Sequence, residues 1–297
     1  MLDKIKQKVS DFISELESPA IEGFASKLHS GKMLRSKLML AICPNDERIL
    51  TLCAIVEMIQ SASLLHDDVL DDSVMRRGEA SINALFGDKN AIMLGDVFYS
   101  KAFYELLAFG APIARSIADC VVRLSRGEIH DVLMAESFQA SREKYFAMIE
   151  DKTASLIASS AQSAAILAGL DGGRYYSYGL NLGIAFQIVD DMLDVFGDEA
   201  LLGKPALNDY TEGKTTLPYL LLYEVLGEAD RATLQGYFKS SSAESKAWIL
   251  EQMQKYGIFA RCQEIAKSYG ERALESIANE GNARLEQVII DMIYRKF

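Results

Sequence analysis

Helix breakers are scarce in this 297-residue chain: its five prolines are Pro19, Pro44, Pro112, Pro205 and Pro218. Proline removes an intrahelical donor and clashes with the preceding turn, so long stretches without it favour long helices. The apolar spacing agrees. From Ile49 the run Ile49, Leu52, Cys53, Val56, Ile59, Ala62 and Ser63 recurs every three to four residues rather than alternating. Comparable stretches lie at about 90–108, 113–137, 142–169, 174–196, 216–226, 243–256 and 258–279. Turn chemistry separates them at Pro44-Asn45, Gly110-Ala111-Pro112, Asp171-Gly172-Gly173 and Gly203-Lys204-Pro205. Ser240-Ser241-Ser242-Ala243-Glu244 reads as a polar turn feeding a helix N-cap. No alternating strand, fixed-period repeat or Pro/Ser-rich linker interrupts the pattern. The expectation is an all-α fold, one domain over residues 1–297, built as a helical bundle around a central cavity.

A content of 49% hydrophobic and 25% charged residues is that of a globular chain with a large core. Asp3, Lys4, Lys6, Lys8, Asp11, Glu15 and Glu17 leave no apolar leader stretch at the start. The longest uncharged stretch, Thr153 to Leu170, would just admit a membrane span by length. Its Thr153, Ser155, Ser159, Ser160, Gln162 and Ser163 suit a helix buried in protein, so no membrane span is expected. Cys43, Cys53, Cys120 and Cys262 form no C-x-x-C pair and no disulfide framework, which points to buried reduced thiols and a cytoplasmic location. A net charge of −11 argues against nucleic acid as a partner. An acidic protein that binds an anionic substrate needs metal ions or a local basic cluster to do so.

Two aspartate clusters supply the first of these. Asp67-Asp68-Val69-Leu70-Asp71 and Asp190-Asp191-Met192-Leu193-Asp194 each follow an apolar helical run. On a helix, positions i and i+4 share a face about 5–6 Å apart, so Asp67 pairs with Asp71 and Asp190 with Asp194. Adjacent like charges destabilise a helix unless something offsets them. A hard dication does: Mg²⁺ takes oxygen ligands and is commonly shared between one or two carboxylates and a phosphate. A solvated acidic face is the bland alternative, but Ala62-Ser63-Leu64-Leu65 and Ala185-Phe186-Gln187-Ile188-Val189 are apolar flanks, which suit carboxylates aimed into a cavity. Neither cluster has the alternating ligands and glycine of an EF-hand.

With these clusters the chain resembles the trans-isoprenyl diphosphate synthases, especially their medium- and long-chain polyprenyl branch. Gly31-Lys32-Met33-Leu34-Arg35 is similar to the family's basic G-K-x-x-R segment. His66 to Asp71 with Met75-Arg76-Arg77-Gly78 resembles the first aspartate-rich motif and its arginine pair, and Gly95-Asp96 is expected to open the next helix. Lys152-Thr153 resembles the K-T motif and Phe186 to Asp194 the second aspartate-rich motif; Gly203-Lys204-Pro205 and Gly213-Lys214-Thr215-Thr216-Leu217-Pro218 close the series. The resemblance implies the isoprenoid-synthase fold and chain elongation, in which isopentenyl diphosphate condenses with an allylic diphosphate, farnesyl or geranyl. It implies Mg²⁺ as cofactor, three ions with substrate bound, a homodimer and a lipophilic product.

The same resemblance distributes roles. Asp67, Asp71 and Asp190 are expected to bind Mg²⁺, with Asp68, Asp191 and Asp194 holding metal-bound waters or supporting contacts. Arg76, Lys152 and Lys204 add to the clamp on the allylic diphosphate. Lys32, Arg35, Gln60 and Arg77 hold the isopentenyl diphosphate, and Lys214 joins the substrate-binding set. Thr153 and Gln187 face the transient allylic cation. Taken alone, Lys32, Arg35 and Lys37 would read as a solvated basic face, and His66, out of phase with Asp67 and Asp71, as a structural histidine. Ser30, Ser36 and Leu207 depart from the family's usual glycine, proline and glycine. Ala62 and Ser63, five and four positions before Asp67, are small where, in the family it resembles, an aromatic walls off the pocket; the resemblance thus implies a cavity that continues toward Ile59 and Val56. A product longer than fifteen carbons, about thirty to forty, follows. Terpene cyclases share the first cluster but carry an Asn/Ser/Glu pattern at the second. Non-catalytic subunits of heteromeric synthases tend to lose a cluster, and this chain keeps both.

Overall fold

The run that begins at Ile49 becomes a 23-residue helix, α4 (Arg48–Leu70), preceded by α1 (Leu2–Ser14), α2 (Pro19–Ala25) and α3 (Leu34–Ile42). The computed structural model describes residues 1–197, 206–278, 280 and 283–293. After α4 come a two-stranded hairpin, β1 (Met75–Arg76) and β2 (Glu79–Ala80), then α5 (Ile82–Phe86), α6 (Asp88–Leu106), α7 (Ala111–Met134) and α8 (Arg142–Ile149). A π turn, Glu150–Ala154, leads into α9 (Ser155–Leu167) and α10 (Gly172–Phe196). Further on lie α11 (Asn208–Glu212), α12 (Leu217–Val225), α13 (Glu228–Gly236), α14 (Ala243–Lys255), α15 (Ile258–Ser276) and α16 (Ala283–Ile293). The all-α class is as expected. Contacts gather the chain into two compact units, Met1–Val122 with Ser159–Tyr176, and Arg123–Ala158 with Ser177–Phe297.

In the first unit α4 is largely apolar, and Leu52 through Val56 are all buried, as in a helix at the centre of a core. It packs most extensively along α6, and also against α1, α3 and α5. Among the described residues α4 alone is long and apolar enough to cross a membrane by length and composition, but here it is a core helix. The uncharged stretch from Thr153 likewise forms buried helix, with Ser155, Ser159, Ser160 and Ser163 among the buried residues. The hairpin turns on Arg77 (φ 55°) and Gly78 (φ 81°), both left-handed as a two-residue loop between twisted strands requires. Two residues per strand are too few to show alternation, which is why the sequence pattern misses them. Gly95 lies within α6 rather than at its start, since the helix begins at Asp88.

Within this unit Lys101 ties α6 to the end of α1. Its ammonium, 8% exposed, bonds Glu15 at 2.6 Å and Glu105 at 2.5 Å and lies over the Phe12 and Tyr104 rings. Burial works against the charge, but the two carboxylates outweigh it and raise the lysine pKa. The Lys101→Met variant should lose about 1–3 kcal/mol of stability in urea unfolding, because the carboxylates lose their partner. A raised lysine pKa contributes stability that is complete below the unfolded value near 10.4 and is lost as pH rises through the folded one. The gap between variant and parent should therefore hold at neutral pH and close only above about pH 10. An equal gap at both extremes would contradict the assignment.

The second unit has its own core, in which Tyr145, Ile188, Met192, Tyr210, Tyr219, Ile249, Met253 and Cys262 are buried together. Here α12 packs on α15, α14 and α8. Tyr210 stacks on Tyr219 with centroids 4.3 Å apart. At the start of α14 the Ser242 hydroxyl accepts from the Ser245 amide at 3.1 Å, the N-cap its serine-rich approach foretells.

Candidate active site

The first aspartate cluster lies at the C-terminal end of α4, where the helix dipole is negative and favours a cation. Asp67 and Asp71 are half-buried and one turn apart; the Asp71 amide donates to the Asp67 carbonyl at 2.8 Å. Asp68 differs from both. It is 3% exposed, and Arg76 donates to its Oδ1 through Nε and Nη2, each at 2.6 Å. Asn83 bonds its carbonyl, so the hairpin and α5 fix this residue. Burial pushes the Asp68 pKa up, against the pull of Arg76. His66 places Nε2 3.1 Å from the Ile92 carbonyl and fits against Gly95, where a Cβ would come within 2.3 Å of the ring. That is the structural role expected of it.

The two hairpin arginines part company. Arg76 turns to Asp68, with about a third of its side chain still exposed beside the first cluster (34%). Arg77 instead donates to the His29 carbonyl and lies over Gly31, where a Cβ would meet its Nη2 at 2.5 Å. It thereby joins the segment that carries Lys32, which is exposed, and Arg35, half-buried in the first turn of α3. Gln60 is half-buried on α4. Ser36, in place of the usual proline, donates to Glu57 Oε1 at 2.6 Å. Ala62, Ser63 and Ile59 are all buried on α4, and the Ser63 hydroxyl is spent on the Gln60 carbonyl at 3.0 Å.

The second cluster repeats the scheme on α10. Asp190 and Asp194 are half-buried and a turn apart; Asp191 is 2% exposed. Gln187 donates to Asp191 Oδ1 at 2.8 Å and Tyr145 to Oδ2 at 2.5 Å. Burial and the neighbouring Asp209 raise the Asp191 pKa well above the usual carboxylate range. Thr153 extends the chain by donating to Gln187 Oε1 at 2.7 Å. Asp194 accepts from the Asp209 amide at 3.2–3.3 Å, anchoring the start of α11. Lys152 lies on Glu128 at 2.9 Å and Asp131 at 2.6 Å, and Lys214 lies 3.1 Å from Glu212. Lys204 falls outside the described residues.

Sequence reasoning missed Tyr145, Asp209, Glu128 and Asp131. Glu128 and Asp131 carry a weak signal, an i, i+3 acidic pair on a helix otherwise rich in arginine. Among the described residues no three His, Cys, Asp or Glu side chains make a ready metal cage. Two half-exposed carboxylates per cluster fit Mg²⁺ well, because that ion keeps several waters and shares its remaining positions with phosphate oxygens.

Residues 19–254 match the model of the polyprenyl synthetase family. The chain belongs to the polyprenyl synthetase family. It is a prenyltransferase of isoprenoid biosynthesis, in a class that depends on divalent metal. It is 50% identical to the octaprenyl pyrophosphate synthase of Helicobacter pylori, with a TM-score of 0.96 over 99% of this chain and 98% of that one. A short chain isoprenyl diphosphate synthase of Methanothermobacter thermautotrophicus is 32% identical over 95% of this chain and 90% of its own length. Solanesyl-diphosphate synthase 1 of Oryza sativa is 37% identical over 75% of this chain, which spans only 52% of that longer protein.

Proposed function

We propose that this polyprenyl synthetase condenses isopentenyl diphosphate with farnesyl or geranyl diphosphate, in the presence of Mg²⁺, to give a polyprenyl diphosphate longer than fifteen carbons. The observation that carries the proposal is the division of labour within each cluster. One aspartate is buried and tied to the protein, and two others, a turn apart, are left half-exposed. The likeness to an octaprenyl synthase at 50% identity favours the long product over the short-chain alternative.

Mg²⁺, three ions with substrate bound, would supply positive charge against the departing diphosphate. Asp67, Asp71 and Asp190 are its ligands in this reading. Asp68 and Asp191 hold their neighbours in place, and Asp194 supports α11. The allylic C–O bond ionises, the isopentenyl double bond attacks the cation, and a proton leaves to the released diphosphate. Arg76, Lys152 and Lys204 add positive charge where the leaving group gains negative charge, and Lys214 lies nearby in sequence for the same substrate. Thr153 and Gln187, already bonded to each other, turn their dipoles to the cation. Arg77, Lys32, Arg35 and Gln60 hold the acceptor's diphosphate, a task suited to arginine's planar fork.

Incubation of the purified chain with isopentenyl diphosphate, farnesyl diphosphate and Mg²⁺, followed by product-length chromatography, tests the reading. Elongation past fifteen carbons is expected; none at all would favour a non-catalytic subunit. A homodimer is supported by exposed apolar side chains on α6 (Ile92, Met93, Tyr104) and α7 (Ile129, Val132, Leu133). The four buried free thiols favour a cytoplasmic location.

A further inference from the structure

The π turn that carries Lys152 and Thr153 is wedged between two glycines. A Cβ on Gly127 of α7 would stand 2.4 Å from the Lys152 amide nitrogen, and one on Gly183 of α10 would stand 2.6 Å from the Ala154 Cα. Neither helix could come so near the turn with a side chain at that position. α7 also grips the turn by charge. Arg126 donates to Asp151 through Nε to Oδ2 at 2.6 Å and Nη2 to Oδ1 at 2.8 Å. Arg123 donates to the same Oδ1 at 2.9 Å and to Glu150 at 2.6 Å. Asp151 is 5% exposed, and its pKa lies below the usual range because the two guanidiniums outweigh its burial.

A π turn holds one residue more than α-helical winding needs, and such turns are rare outside functional sites. Two consecutive side chains of the turn reach different helices: Lys152 bonds Glu128 and Asp131 on α7, and Thr153 bonds Gln187 on α10. Relaxation to α-helix would shift the register by one residue, about 100° of rotation, and take at least one of them off its partner. The face of α7 from Arg123 to Asp131 opposes that relaxation at three points.

We propose that Asp151, Arg123, Arg126 and Gly127 are positioning residues, which hold the π turn so that Lys152 and Thr153 act together on the allylic substrate. The inference rests on the reading that those two side chains serve the reaction. A purely stabilising ion pair would lower the melting temperature without regard to them.

The test is a mutant cycle on the full-length enzyme, assayed with isopentenyl and farnesyl diphosphates and Mg²⁺. Arg126→Gln is the mild variant, since that side chain is 56% exposed; Asp151→Asn is the severe one. Each should lower kcat about ten- to a hundredfold, with the KM for isopentenyl diphosphate nearly unchanged, because small misplacement of catalytic groups has effects of that size. Arg126→Lys should recover part of the loss. In a Lys152→Ala, Thr153→Ala background the same substitutions should cost less than about twofold, since groups that act as a unit are not additive. Equal losses in both backgrounds, or an unchanged kcat in Arg126→Gln, would overturn the proposal while the site reading stands. Full activity in the Lys152→Ala, Thr153→Ala protein would remove the site reading and the proposal with it. Should Asp151→Asn not fold, Arg126→Gln and its lysine rescue still decide the matter.

Discussion

Asp190→Asn is expected to lower kcat/KM by about three orders of magnitude, and Asp67→Asn to act alike. Loss of a carboxylate that binds a metal on a departing diphosphate removes several kcal/mol of transition-state stabilisation, and each 1.36 kcal/mol is tenfold in rate. Both side chains are half-exposed and lie a turn from a second carboxylate, so an amide there leaves the fold intact. Thermal midpoints should move little, and raised Mg²⁺ should recover part of the activity. Asp68→Asn should behave differently. It breaks a buried pair with Arg76 and leaves that guanidinium without its anion, so its main signature is lost stability. Steady-state kinetics across a Mg²⁺ series, alongside melting curves, separate the two patterns. Activity in Asp190→Asn equal to the parent at every Mg²⁺ concentration would end the metal assignment.

The second large effect is on product length. Ala62→Phe is expected to shorten the main product by several isoprene units while leaving the first condensation intact. Ala62 and Ile59 are wholly buried on α4, so a phenyl ring has no route to solvent and must occupy space within the core. Overpacking of this kind costs about 1–3 kcal/mol, which a core of this size can bear. Ser63→Phe should act in the same sense. Chromatography of dephosphorylated products reads the outcome directly. An active Ala62→Phe enzyme with unchanged product length would refute the idea that the growing chain passes these residues.

Long elements were legible because their apolar period is long. The stretch at 174–196 is α10, Gly172–Phe196, and that at 113–137 is α7, Ala111–Met134. The stretch at 142–169 reads as one helix, yet it is α8, a π turn and α9 in succession. A single inserted residue barely disturbs a three-to-four spacing, so the turn that aims Lys152 and Thr153 was invisible. α13 was missed because Leu234 is its one buried residue and its other side chains carry no apolar stripe. Both aspartate clusters were plain in the sequence, and the family resemblance ranked their members, but what buries Asp68 and Asp191 was not legible. Which carboxylates stay half-exposed depends on Arg76, delivered by a hairpin too short to leave a pattern, and on Tyr145, far from Asp191 in the chain. The two hairpin arginines also differ in partner: Arg77 reaches the basic segment, whereas Arg76 pairs with Asp68.

α4 also bears on how the chain survives its own synthesis. The helix is made before α6, the partner that covers most of it, so a nascent chain carries a 23-residue apolar segment while its cover is still to come. By length it would suit the interior of a bilayer as well as that of a protein. α1, already complete and able to pack on α4, is the first shield available, with Ile5 and Phe12 as its apolar contribution. Glu57 midway and Asp67-Asp68 at the end make insertion into lipid costly. The aspartates proposed to bind the metal would thus also help to keep the emerging chain out of the membrane.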